Sequence, residues 1–257
     1  MRIPIEQQIK DISRIKEEVN VKQNGKVLYV TVSGSDLYGF PSPDSDIDYR
    51  GTYLTGSFNL LGLKRFRDVI EIDPDIVMFE VGKEIGLALA GNCNVLEHIN
   101  SIPIYRTAEY LQLKILLNNT IGKRGLYNSY RGLATFNYKK FILQGKKSFK
   151  KYLYVFRGLM AGIHVMETGK IQPNIEELNR YFKIKEVSEL IIMKKNGTEE
   201  AGAEELKESG KLDSLIPPLY ERLDRTYLKS EMPEKPDEQD INFLNHWLIE
   251  LRVDNLK

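Results

Sequence analysis

The feature that most constrains the fold of this 257-residue chain is a strand with no wet face, followed by a turn, a proline-broken loop and two spaced carboxylates. From Lys26 to Ser33, Val27, Tyr29 and Thr31 alternate with Leu28, Val30 and Val32, so a strand here is apolar on both sides. Such a strand belongs inside a covered sheet. Gly34-Ser35 then turns the chain. The run Phe40-Pro41-Ser42-Pro43-Asp44-Ser45 excludes regular helix or sheet, because two prolines remove donors and push their predecessors toward extended backbone. Asp46 to Leu54 reads as a second strand, in which alternation places Asp46, Asp48 and Arg50 on one face and Ile47, Tyr49 and Gly51 on the other.

These residue types suit phosphate and metal chemistry. Glycine lets backbone approach a ligand, while a serine hydroxyl and its neighbouring amides donate to phosphate oxygens. Two carboxylates two residues apart repel unless a cation lies between them, and Mg²⁺ favours such all-oxygen surroundings. Taken singly, Gly-Ser is a common turn, and Asp-x-Asp also serves as an exposed strand edge that resists aggregation. A third strand, Asp75 to Val81, is headed by another carboxylate. Convergence of Asp75 on Asp46 and Asp48 would complete a site for two metal ions about 4 Å apart. Glu80 competes for the third place, but it points away from the Asp75 face, and Pro74 cuts off Asp73.

Elsewhere the pattern is mixed at first. Pro4 and the series Ile5, Ile9, Ile12, Ile15 and Val19 predict an amphipathic first helix, broken at Asn24-Gly25. A glycine-containing connection over 55–66 and a short strand over 69–72 precede the Asp75 strand, and helices over 82–90 and 95–99 follow it. Beyond Pro103 the strand signal fades. Helices are expected over 108–117, 127–143, 147–167 (stopped by Gly169), 174–182 and 185–193, and a polar surface insertion over 194–211. Pro217-Pro218 interrupts again, and 231–237 is a proline- and acid-rich linker. A closing helix with Ile241, Leu244, Trp247, Leu248 and Leu251 on one face is expected to seal the helical region. The reading is α+β, a mixed-sheet domain over 1–105 followed by a mostly helical domain over 106–257.

The net charge of +1 hides an asymmetry. No Asp or Glu occurs from Tyr110 to Met166, against eleven Lys or Arg, and acids gather from Glu167 to Asp240. Two solvated faces of opposite sign and a polyanionic partner account for this equally well. Lys147, Lys150, Tyr154 and Arg157, spaced by three, four and three, put a row of donors on one helix flank beside Lys151. That row is either a solvated flank or a phosphate-facing one. Tyr127, Tyr130, Phe136, Tyr138, Phe141 and Tyr152 interleave the basic block, as core residues or as base-stacking platforms. The single Cys93 excludes an intramolecular disulfide, and His98, His164 and His246 lack metal-ligand spacing. With no run of about 18 apolar residues and no signal-like N-terminal stretch, a cytoplasmic protein without a membrane partner is expected.

The segments Gly34-Ser35-Asp36-Leu37-Tyr38-Gly39 and Ser45-Asp46-Ile47-Asp48-Tyr49-Arg50-Gly51 resemble the signature of the DNA polymerase beta-like nucleotidyltransferase superfamily. More narrowly, the chain is similar to the RNA repair pathway polymerase-beta branch, with further matching stretches at 75–83, 87–97 and 150–157. The resemblance spans residues 27–170 and implies a polymerase beta-like domain with a helical one after it. It implies a Mg²⁺-dependent enzyme with two ions, or Mn²⁺ in their place, that moves a nucleoside monophosphate from a nucleoside triphosphate to an acceptor hydroxyl and releases pyrophosphate. The acceptor it implies is RNA, a tRNA or a damaged 3′ end. In that scheme Gly34 and Ser35 hold the triphosphate, Asp46 and Asp48 bind both metals, and Asp75 is the third carboxylate; Ser45 is a further nucleotide-binding candidate, and Arg50, on the metal-facing side of its strand, is read against the triphosphate or as an ion-pair partner of Asp46 or Asp48. Apart from the resemblance, Lys147, Lys150, Lys151 and Arg157 are read either as closing over the nucleotide from the helical domain or as a solvated helix flank. The alternatives are a nucleotide- or RNA-binding module without turnover, and a transferase acting on a small molecule or a protein.

Overall fold

Asn24 ends the first helix in the left-handed region, at φ 46°, and the chain turns directly into its most buried strand. The computed structural model describes residues 3–63, 66–197 and 209–256. In chain order the first elements are α1 (Ile5–Gln23), β1 (Lys26–Val32), α2 (Gly34–Tyr38), β2 (Tyr49–Leu54), α3 (Ser57–Leu61), β3 (Val69–Asp73) and β4 (Ile76–Glu80). Then come α4 (Val81–Leu89), α5 (Cys93–Asn100), β5 (Pro103–Arg106), α6 (Ala108–Asn119) and α7 (Lys123–Asn137), which runs into a π-helical turn at Tyr138–Ile142. The remainder is α8 (Phe149–Thr168), α9 (Ile175–Phe182), α10 (Lys185–Asn196), α11 (Ser209–Lys229) and α12 (Glu238–Asp254). The fold is α+β, as expected.

The chain partitions into two units that are not contiguous in sequence. The first comprises Met1–Ser33, Ile47–Ile121 and Pro236–Lys257, and the second Gly34–Asp46 and Gly122–Lys235. Four crossings thus replace the single boundary expected at residue 105.

In the first unit a mixed five-stranded sheet runs in the order β3-β4-β2-β1-β5, with β2 and β4 parallel and the other pairs antiparallel. As its two-sided apolar pattern requires, β1 is an interior strand, buried at every position except Lys26. A bulge between Val27 and Tyr29 breaks the simple alternation, because one extra residue flips the faces that follow. Val27 therefore joins Val30 and Val32 on the side covered by Ile15 and Val19 of α1. Tyr29 and Thr31 line the other side, in register with Thr52 and Arg50. Ile5 and Ile9, expected in the buried stripe of α1, are exposed. The short edge strand β5 has no counterpart among the expected strands; four residues opening with proline carry too little pattern to signal one.

α12 also belongs to the first unit, not to the helical one. Leu244 is buried, Trp247 donates to Gln112 of α6, and Arg252 pairs with Glu80. In the second unit α8 is the central helix, with fourteen of its residues buried, and Gly169 caps it in the left-handed region at φ 70°. α11 runs straight through Pro217 and Pro218. Buried Leu212, Ile216, Leu219 and Leu223 hold this helix in place where local propensity alone would end it. Lys194 to Asn196 complete α10, whereas residues 198–208 of the expected polar insertion lie outside the described residues.

Candidate functional site

Asp48, Arg50 and Asp75 lie in the first unit. Asp48 precedes β2 but already shares its ladder: its carbonyl accepts from the Ser33 amide at 2.8 Å, and the next amide, Tyr49, donates to the Asp75 carbonyl at 2.7 Å. Because the parallel pair begins Tyr49↔Ile76, one step back sets Asp48 beside Asp75, on the face that carries Arg50 and Val77. Arg50 ties this corner together. Its Nη1 donates to the carbonyls of Tyr49 and Asp75, both at 2.8 Å, and its Nη2 reaches the Asp48 carboxylate at 3.4 Å. Asp75 sits in the β3–β4 turn and not at the head of the strand; its amide donates to the Asp73 carboxylate at 3.0 Å. Ser33, at the end of β1, hydrogen-bonds through Oγ to Nε2 of buried His98 at 2.9 Å.

Glu80, the competing acid, is consumed by the fold. It is 1% exposed, caps α4 by accepting from the Gly82 amide at 2.7 Å, and takes Arg252 on both oxygens at 3.1 and 3.0 Å.

Gly34, Ser35, Ser45 and Asp46 belong to the second unit. Gly34 takes φ 60°, which only glycine adopts at no steric cost, and the Ser35 carbonyl accepts from the amides of Gly39 and Phe40. Asp46 lies ahead of β2 in irregular chain, so the single strand face expected to carry Asp46, Asp48 and Arg50 holds only from Asp48 onward. Its approach is nonetheless fixed. Fully buried Lys194 donates to Ser42 Oγ at 2.7 Å, Ser42 Oγ meets Ser45 Oγ at 2.8 Å, and the Ser42 amide donates to Ser45 Oγ at 2.9 Å. Nothing local in the sequence marks Lys194, which acts on a serine 152 positions earlier.

The expected row of donors does not form one exposed flank. Arg157 is wholly buried with its guanidinium 3.7 Å from the centre of the Tyr38 ring, and Tyr154 packs edge-on against Tyr38 and Phe40. Lys147 lies ahead of α8 and pairs with Asp213 at 2.7 Å, and Lys151 covers the Phe141 ring at 3.9 Å. Lys150, on α8, is half-buried. A stripe reading of a helix assigns faces, but it does not say which neighbour covers each face. Among the described residues no three or more carboxylate, histidine or cysteine side chains are gathered into a metal-ligand set. A cavity of about 830 Å³ in the second unit, lined by residues such as Glu167, Arg222, Arg225 and Lys229, contains none of the candidate residues. No helix among the described residues is long and apolar enough to cross a membrane.

The profile of the RNA repair pathway DNA polymerase beta family matches residues 1–250. The chain belongs to this family. The match extends through the helical region that the motif resemblance left uncovered. The family is polymerase beta-like and of the nucleotidyltransferase kind. The chain is also similar to uncharacterized protein YcgL of Bacillus subtilis, 32% identical over 174 residues that make up 64% of each protein. It is 31% identical to uncharacterized protein MJ0002 of Methanocaldococcus jannaschii over 153 residues, 56% of this chain and 62% of that one. The chain thus spans under two thirds of the length of these relatives.

Proposed function

We propose that the protein transfers a nucleoside monophosphate from a nucleoside triphosphate to an acceptor hydroxyl, and that the acceptor is an RNA end. The acceptor oxygen bonds to the α-phosphorus, the bond from that phosphorus to the bridging oxygen breaks, pyrophosphate leaves, and the hydroxyl proton is lost. The observation that carries this reading is Asp48, whose main chain is fixed by the ladder while its carboxylate stays 30% exposed. Asp46, two residues earlier, follows a loop pinned by Lys194. Covalent geometry keeps the two Cα atoms within about 7 Å of each other.

The donor chemistry suits Mg²⁺ or Mn²⁺: Asp46 and Asp48 would hold it, and Asp75 enters as a third ligand through its register place alone. Bound there, the metal would lower the pKa of the acceptor hydroxyl and neutralise charge on the phosphates. Gly34, Ser35 and Ser45 are assigned to the triphosphate. Arg50 is assigned to exchange the Asp48 carboxylate for a phosphate oxygen when nucleotide binds.

The test incubates the protein with each α-labelled triphosphate, Mg²⁺ and total cellular RNA. Label is expected on RNA 3′ ends, absent with Asp46→Asn/Asp48→Asn and reduced at least tenfold with Asp75→Asn. Undiminished labelling by the double variant, or no labelled RNA, protein or metabolite at all, would sink the proposal. Label on protein or metabolite alone would reassign the acceptor. The alternative is a binding module without turnover. That reading expects equal nucleotide affinity with and without Mg²⁺ and in the double variant.

A further inference from the structure

At the end of α7 the acid-free region turns a corner through the π-helical segment Tyr138–Ile142. π-Helical turns are rare and concentrate at functional positions. This one keeps two aromatic rings near the surface: Phe136 is 55% exposed and meets Phe141 edge-on at 6.2 Å. The Lys140 ammonium lies 4.7 Å from the centre of the Phe136 ring and 5.5 Å from that of Phe141, while Lys151 caps Phe141. Lys139, Lys140 and Lys146 are exposed, and among the described residues no carboxylate pairs with them. Leu143, 62% exposed, follows the same segment directly.

Phe136 leaves an apolar ring more than half exposed beside Lys140, and Lys139, Lys140 and Lys146 bring three ammonium groups to the same stretch of chain. A single-stranded nucleic acid suits both, because a base covers the ring and phosphates meet the ammonium groups. A duplex hides its base faces, whereas in a single strand every nucleotide offers both a π-face and a phosphate. We propose that this corner of the second unit binds single-stranded nucleic acid, with one base stacked on Phe136 and adjoining phosphates on Lys139, Lys140 and Lys146. The assignment deepens the transferase reading by naming the surface that takes the acceptor strand. It rests on that reading only for the strand being a substrate, since binding requires no turnover.

The test uses the full chain carrying Asp46→Asn/Asp48→Asn and a fluorescein-labelled 12-nucleotide RNA, with affinity measured across a salt series. Adding Lys139→Gln/Lys140→Gln/Lys146→Gln is expected to flatten the log–log salt slope by about 2, close to 0.7 per lost phosphate contact. Adding Phe136→Ala is expected to weaken binding about 5- to 100-fold with an unchanged slope, and Phe136→Trp to restore it. Both sets of variants lie on the surface, and unchanged thermal melting identifies those that fold. Affinity and slope unmoved in folded variants would overturn the proposal, as would an equal loss on a fully paired RNA duplex, or binding to phosphatidylserine vesicles in preference to the oligonucleotide. Lysine-dependent RNA binding with no nucleotide incorporation anywhere would leave this surface standing and sink only the transferase reading. Incorporation into RNA with binding unmoved would do the reverse.

Discussion

Glu84 is a carboxyl group enclosed on every side in the first unit. It accepts from Tyr29 Oη at 2.5 Å and from Thr52 Oγ1, and Tyr110 packs on the Tyr29 ring at 4.7 Å. Burial pushes its pKa up to about 7, and the two donated hydrogen bonds pull against that rise without cancelling it. The same burial, with Glu84 as a neighbouring negative charge, raises the Tyr29 phenol well above its usual value. An unfolded glutamate titrates near 4.3, so between about pH 4.3 and 7 the folded state holds a proton that the unfolded state has lost. The contribution of Glu84 is therefore complete below that window and declines as pH rises through it. In urea unfolding, Glu84→Gln is expected to gain on the wild type across the window by an amount on the order of 3 kcal/mol, then to run parallel above it. A constant difference from pH 4 to 8 would contradict the assignment. In the sequence Glu84 looks like any acid near a helix start. Arg157 and Lys194 mislead in the same way, since a charged residue on a helix is normally solvated and these two are wholly buried.

At the scale of elements, β1 and β2 show how much a local pattern reveals. Both strands, the turn at Gly34 and the proline loop are legible because each depends on residues adjacent in sequence. The bulge after Val27 is not, because it arises from pairing with β2. Gly51 lies opposite Val30 of the bulged strand. A Cβ there would lie 2.2 Å from the Tyr29 carbonyl oxygen and 2.9 Å from Met78 Cε. The carbonyl cannot retreat without breaking the ladder, so Gly51→Ala is expected to destabilise by about 1–3 kcal/mol, read as a lower urea midpoint. An unchanged midpoint would mean that the strands separate more easily than this packing implies. α11 makes the complementary point, since two prolines signal a break and a buried apolar face overrides them.

At the scale of the molecule, the chain leaves the first unit after Ser33, returns at Ile47, leaves again after Ile121 and comes back at Pro236. The Asp46-x-Asp48 pair therefore straddles a crossing, with one carboxylate assigned to each unit. The last return brings α12 and with it Arg252, the cation on Glu80. Arg252→Ala strands a carboxylate that is 1% exposed, and a loss of about 3 kcal/mol is expected in chemical denaturation. Arg252→Ala/Glu80→Gln should recover part of it; a double variant no better than the single would place the cost elsewhere.

The sequence by itself determined the α+β class, the interior strand, the order of turn, loop and carboxylates, and the family to which they point. These follow from backbone preferences and side-chain periodicity, which act over a few residues. Only the tertiary structure decided that Asp75 lies in a turn beside Asp48, that Glu80 is spent on Arg252, and that Arg157 faces Tyr38. It also showed that Lys194 reaches back across 152 positions to hold the loop before Asp46. Those outcomes depend on which side chains exclude water from which others, and burial couples residues by their place in space, whatever their separation along the chain.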